Sequence, residues 1–153
     1  MTLAQWAEQH RDEVRQEGPD PAAVRARLRV LARHLRDASR VDTDDGRFEQ
    51  AFAACLAAAD AALAAAGYRV ASPAHHYRAV ESLAYTLGLE EGRVRELDRY
   101  RRKRAAVVYQ DTGLVTPQEA ESALAIARAL QQQLLAWLAD KHPEIDITPE
   151  GRP

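Results

Sequence analysis

With 153 residues, 17.0 kDa and a formal net charge of -2, the chain is long enough to bury one core and too acidic overall to coat nucleic acid wholesale. Its single cysteine, Cys55, excludes an intramolecular disulfide framework and a thiolate metal site. No charged-then-apolar leader opens the sequence and no uninterrupted run of about 18 apolar residues follows, so the expectation is a cytoplasmic protein with no membrane contact.

Sustained period-two alternation of β-branched residues is absent, whereas helix signals are strong and well punctuated. A first helix is expected from Leu3 to Arg15, ending before Gly18-Pro19. Asp20 then offers an N-cap with Pro21 at the first helical position, where proline's missing donor costs nothing. Val24, Leu28, Leu31 and Leu35 follow at three-to-four spacing and give this second helix one apolar stripe. The polar run Asp42-Thr43-Asp44-Asp45-Gly46 reads as a linker or long turn. Phe48, Phe52, Cys55, Leu56, Ala59 and Leu63 mark the next helix, whose alanines permit close approach of a neighbour and whose end is set by Gly67 as a left-handed cap.

Ser72-Pro73 opens another helix with Tyr77, Val80, Leu83 and Leu87 expected inward and Gly88 closing it. A fourth core helix is expected from Glu91 toward Tyr109, broken by Asp111-Thr112-Gly113. Thr116-Pro117-Gln118-Glu119 combines a capping box with proline at the first helical position. The last helix carries Ala120, Leu124, Ala127, Leu130, Leu134, Trp137 and Leu138 on one face and ends near His142-Pro143. The expected fold is all-α: an antiparallel four-helix-type bundle over residues 45–142, preceded by a helical extension over 1–40 with two additional N-terminal helices, and followed by a flexible tail over 143–153.

The densest chemistry lies in Arg99-Tyr100-Arg101-Arg102-Lys103-Arg104, five basic residues in six positions. Lysine occurs only at Lys103 and Lys141, so arginine usage here reflects a general arginine bias, which lowers the weight of any single arginine. On a helix Leu97, Arg101, Arg104 and Val108 fall near one line, so two arginines interrupt an apolar stripe begun by Val94 and Leu97. One reading is favourable charge against the helix C-terminal dipole. The other is a phosphate site, because guanidinium forks suit bidentate contacts to phosphate oxygens.

His75-His76 is a second constellation. Adjacent residues point about 100° apart on a helix and cannot easily share one metal, so no metal site is expected, and His76 is a candidate phosphate or base contact. His10, His34 and His142 have no ligand partner at diagnostic spacing. Trp6 and Trp137 fit amphipathic packing, and the acidic pairs Glu90-Glu91 and Asp44-Asp45 read as solvated turn residues. No glycine-rich phosphate loop and no nucleophile–base order stands out, and no cofactor is expected.

At these residues the chain resembles the HEPN superfamily, helical-bundle proteins often found in bacterial toxin–antitoxin and defence systems. The likeness covers roughly Phe48 to Trp137. It rests on the alanine-rich opening helix, Gly67-Tyr68-Arg69, His75-His76-Tyr77, the basic run before Tyr109, and the capped last helix. It is nearest an actinobacterial-type branch with a Trp-containing N-terminal segment like Leu3-Ala4-Gln5-Trp6. Many members are metal-independent ribonucleases that pair as dimers and carry an arginine, usually a polar residue, then a histidine four to six positions on.

Carried over, the resemblance places Arg104 at the arginine, Ala105 at the polar position and Tyr109 at the histidine, with Arg102 as an alternative match at wider spacing. A tyrosine of ordinary pKa about 10 is a poor general base near neutral pH, and Ala105 can neither orient nor donate. The resemblance therefore implies a non-catalytic homodimeric domain. It would bind RNA, a nucleotide or a partner protein such as a nucleotidyltransferase through Arg101, Arg102, Lys103, Arg104 and His76. The alternative it leaves is a metal-independent ribonuclease using Arg104 and Tyr109.

Overall fold

The structure is a computed structural model that describes residues 1–71, 75–109 and 112–148, with the side chain of Tyr109 outside the described set. It is mostly helical. In chain order the elements are α1 (Leu3–Gln9), β1 (Val14–Gln16), α2 (Pro21–Arg40), α3 (Asp44–Ala66), β2 (Tyr68–Val70), α4 (His75–Thr86), α5 (Glu91–Tyr109) and α6 (Pro117–Lys141).

Local chemistry sets most of these boundaries. Asp20 accepts from the backbone N–H of Ala23 at 3.1 Å, with Pro21 beginning α2. Thr43 accepts from Gly46 N–H and starts α3, so the polar run 42–46 is mostly the first turn of a helix and not a linker. Asp45 is likewise no idle solvated acid. Its carboxylate accepts from the backbone N–H groups of Gly113 at 2.7 Å and Val115 at 3.3 Å, fastening the turn before α6 to the start of α3. The expected capping box at Thr116 and Glu119 is present with both bonds formed.

α2 and α3 are joined by only Val41–Thr43 and form an αα-hairpin, the most extensive helix pair in the molecule. α3 is buried on nearly every side, with Phe48, Phe52, Cys55, Leu63 and a succession of alanines packed among α2, α4, α5 and α6. By length and composition it is apolar enough to cross a membrane, and 72% of its most apolar window is buried inside the protein. Val24, Leu31 and Ala38 of α2 join the same core as α6's Leu124, Leu130, Leu134 and Leu138. So does Ile145, in the segment expected to be a loose tail.

The N-terminal segment departs from the expected helix. α1 ends at Gln9, and Val14–Gln16 pairs antiparallel with Tyr68–Val70 in the register Val14↔Val70, Arg15↔Arg69, Gln16↔Tyr68. Trp6, Ala7, Val14, Leu63 and Val70 form a second apolar cluster there, with Trp6 stacked on Tyr85 at 5.8 Å. The pairing is what removes Val14 and Val70 from water, so the strand is a tertiary product that a three-residue pattern does not announce.

Gly67 connects α3 to β2 at φ 96°, and a Cβ built there would lie 3.1 Å from the backbone carbon of Gly18. Gly88 has φ 69° with nothing near its missing side chain. Gly88→Ala should therefore lose only the left-handed backbone cost of about 1–2 kcal/mol. Gly67→Ala should lose more, because the chain leading into α2 must also shift. Urea denaturation of the two variants checks the order, and equal losses would show that the Gly18 contact is soft.

Candidate functional site

The basic run on α5 does not form one patch. Leu97 is fully buried, while Arg101 and Arg104 are half-buried and Val108 is exposed, so the stripe leaves the core as α5 proceeds. Arg101 Nε donates to Asp98 at 2.8 Å and Arg102 Nε lies 3.7 Å from the same carboxylate. Lys103 Nζ donates to Glu119 at 2.6 Å, which ties α5 to the capping carboxylate of α6 and gives this lysine a structural task. Tyr100, within the run, is buried edge-on against Phe48 at 5.3 Å, and burial with a hydrogen bond to Glu96 pushes its hydroxyl up to about 12.

What α5 does present to solvent is a second row. Arg95, Arg99 and Arg102, spaced four and three apart, line an open depression with Gly92 and Glu96. Arg95 is shared with Glu91 at 2.7 Å, whereas Arg99 makes no ion pair among the described residues and lies 5.6 Å from the Tyr100 ring centre.

Beside this row runs a groove of about 330 Å³ between α4 and α5, lined by Tyr77, Val80, Glu81, Val94, Arg95, Asp98 and Arg102. Tyr77 was expected to face the core with Val80, Leu83 and Leu87. Those three are buried, but Tyr77 is 42% exposed. The guanidinium of Arg101 lies 5.3 Å from its ring centre and that of Arg78 4.8 Å, so cation–π contacts replace core packing as what holds the ring. Arg78 is itself anchored, donating to Glu13 at 3.1 Å and to Glu81 at 2.9 Å, and Glu81 also accepts from the Trp6 indole. The sequence signal for Tyr77 was ambiguous because an aromatic on an apolar line can pack or protrude. The spacing of Arg95, Arg99 and Arg102 is readable in the sequence, but two of the three lie inside the dense run, which hides the row they form.

The two adjacent histidines separate in role. His75 Nε2 faces both carboxylate oxygens of Asp60 at 2.8 and 2.9 Å, on a side chain of α3 that is only 15% exposed. That hydrogen bond raises the imidazole's pKa against the opposing effects of burial and of Arg27's charge. His76 packs edge-on to Phe52 at 6.3 Å. Burial lowers its pKa first, with the charges of Arg104, His75 and Arg101 adding to the effect, so it is neutral near pH 7. Arg104 makes no ion pair among the described residues. The structure thus gathers Arg101, Arg104 and His76 around one corner of α4 and α5, sends Arg102 to the groove, and turns Lys103 toward α6.

Of the proposed catalytic pair, the side chain of Tyr109 lies outside the described residues, as do Ser72, Pro73 and Asp111. Cys55 is wholly buried and its thiol is pushed up to about 12 by that burial, which makes it inert as a nucleophile. Among the described residues no three His, Cys, Asp or Glu side chains cluster in a way that could hold a metal ion.

The Asp60–His75 pair makes stability depend on pH with a definite sign. The folded imidazole's pKa is raised above its ordinary value of about 6.5, so the pair contributes fully below that value and fades as pH rises through the raised one. The stability lost in His75→Gln should accordingly be larger at about pH 5.5 than at about pH 8.5 by urea denaturation. A loss that grows with pH would mean that His75 is neutral in the fold. Against this geometry, no protein-family model matches the chain, and no curated protein or solved structure is significantly similar to it.

Proposed function

We propose that the chain is a HEPN-like domain that binds single-stranded RNA without cleaving it, along the groove between α4 and α5. The observation that carries this reading is Tyr77, an exposed ring flanked by two guanidinium groups on the wall of a groove whose rim bears Arg95 and Arg102. An exposed aromatic offers a stacking face that every base can use, and arginines spaced along a helix follow a phosphate backbone. Arg101 serves the ring, Arg95, Arg99 and Arg102 serve phosphates, and Arg104 with His76 takes the phosphate next along. The homodimer and the toxin–antitoxin or defence setting belong to the same proposal through the family resemblance.

Fluorescence anisotropy with a labelled 12-nucleotide RNA tests it. Tyr77→Ala should weaken binding by about 1–3 kcal/mol at every salt concentration, the worth of one stacked base. Replacing Arg95, Arg99 and Arg102 with alanine should weaken it most at low salt and flatten the log–log salt slope by about 2, from roughly 0.7 per single-strand phosphate contact. Wild-type affinity in both variants would overturn the reading in favour of a protein partner.

A second reading, a metal-independent ribonuclease, is favoured by one feature. His76, neutral near pH 7 and within the field of Arg104, is a proton acceptor beside a cation suited to a phosphate in flight. It predicts RNA cleavage in excess EDTA that disappears in both Arg104→Ala and His76→Ala. Cleavage that survives either change would belong to a contaminant.

A further inference from the structure

The largest concentration of unpaired charge lies on α2, away from the groove. This helix carries six arginines, Arg25, Arg27, Arg29, Arg33, Arg36 and Arg40, against a single acid, Asp37. At 100° per residue, Arg29, Arg33, Arg36 and Arg40 fall within about 60° of one another, and Arg25 widens that arc by only about 20°. The buried residues of the helix, Val24, Leu31 and Ala38, lie on the opposite side and pack into the core. Arg29, Arg33, Arg36 and Arg40 are exposed and Arg25 is partly buried.

No side chain in this row makes an ion pair among the described residues. Asp37 lies beside the row, yet no ion pair joins it to Arg33, Arg36 or Arg40. The charge of Arg25 is felt at Asp146, and even with both acids counted the row keeps a clear positive excess. α5 is different, because there Arg93, Arg95 and Arg101 each meet a carboxylate on their own helix. A general arginine bias explains how many arginines there are, not their gathering on one face without acids. The helix dipole rewards cations in the last turn only, which leaves Arg29 and Arg33 without a local reason. Like charges three and four residues apart weaken a helix, and nothing within the chain offsets that repulsion.

The row also shows what kind of anion it suits. Among the described residues no large hydrophobic side chain is exposed on α2, and the helix's apolar face is spent on the core. A membrane-surface helix needs that face to enter the lipid, and a protein interface needs an apolar centre. A single strand is held by aromatic stacking, and the row has no ring. What remains is charge repeated at a regular interval over about 16 Å of helix. One strand of a duplex presents about five phosphates over that length.

We propose that the outer face of α2 binds the phosphate backbone of a double-stranded nucleic acid, without reading its sequence, through Arg29, Arg33, Arg36 and Arg40. The remainder of the chain is acidic enough to leave the whole at -2, so the duplex is met by this face. α2 packs chiefly on α3, on which α4 and α5 also pack, and the row shares no residue with the groove. The two sites therefore stand or fall independently.

The test is fluorescence anisotropy of the full chain with labelled DNA and RNA duplexes of about 20 base pairs, each in two unrelated sequences, between about 50 and 200 mM salt. Both sequences should bind equally, because phosphate contacts carry no base information. The log–log salt slope should be about 3 to 4, from roughly 0.9 per phosphate neutralised. Changing Arg29, Arg33, Arg36 and Arg40 together to glutamine should weaken duplex binding at least about tenfold at the lowest salt and remove most of the slope. The same four positions changed to lysine should keep both, since a backbone needs the charge and not the guanidinium fork. The glutamine variant should unfold at no lower urea concentration than the wild type, because it loses repulsion and no contact. Undiminished duplex binding in the glutamine variant, a lysine variant no better than it, or no binding of either duplex at about 50 mM salt would each overturn the proposal. So would poly-glutamate or phosphatidylserine vesicles bound as tightly as the duplexes, which would give the row to a protein or a membrane.

Discussion

The burial of α3 on nearly all sides is the constraint from which the rest of the molecule follows. A helix made of alanines with a few large residues lets neighbours approach closely, and α2, α4, α5 and α6 all use that permission. The same helix carries one carboxylate, Asp60, in its buried half. An ionised group there needs a partner, because losing water without compensation costs several kcal/mol. His75, on α4, is that partner. The apolar core and the Asp60–His75 pair are thus two consequences of one helix.

The basic run illustrates how charge density in a sequence differs from charge presented to solvent. Five cations in six positions point in five directions at 100° per residue. Asp98 takes two of them, Glu119 takes a third to bind α6, and Tyr77 engages the face of a guanidinium already hydrogen-bonded to Asp98. Surface ion pairs of this kind add little stability, about 0–1 kcal/mol each, but they redistribute the field. Among the described residues, Arg99 at the start of the run and Arg104 at its end are left without an ion pair.

Local signals were legible and long-range ones were not. Asp20-Pro21, Gly67 and the Thr116–Glu119 box are satisfied by atoms within a few residues, so the residue types alone announce them. The strand at Val14–Gln16 depends on a partner near residue 69, and Asp45 depends on the turn at 113–115. Neither dependence leaves a mark in the local pattern. One acid among alanines looks like an interruption of a core helix, and only the distance from Asp60 to His75 reveals it as half of a pair. Tyr77 was misplaced for a different reason: the 3.6-residue period identifies a face, and a ring with a polar tip can lie at its edge.

Tyr77 is also where the fold bears most directly on recognition. Its immediate surroundings are tied down from two sides. Two residues before it, His75 is tied to α3, and one residue after it, Arg78 is tied to Glu13 beside β1 and to Glu81, which in turn holds Trp6 of α1. The first turn of α4 is therefore fixed before any ligand arrives. An aromatic side chain has two rotatable bonds, and here flanking guanidiniums restrict them further. The entropy cost of ordering a contact residue, commonly about 0.5–1.5 kcal/mol, is largely met during folding and not at binding. The N-terminal segment, none of whose residues lines the groove, thus contributes to it by holding Glu81 and Arg78 of α4.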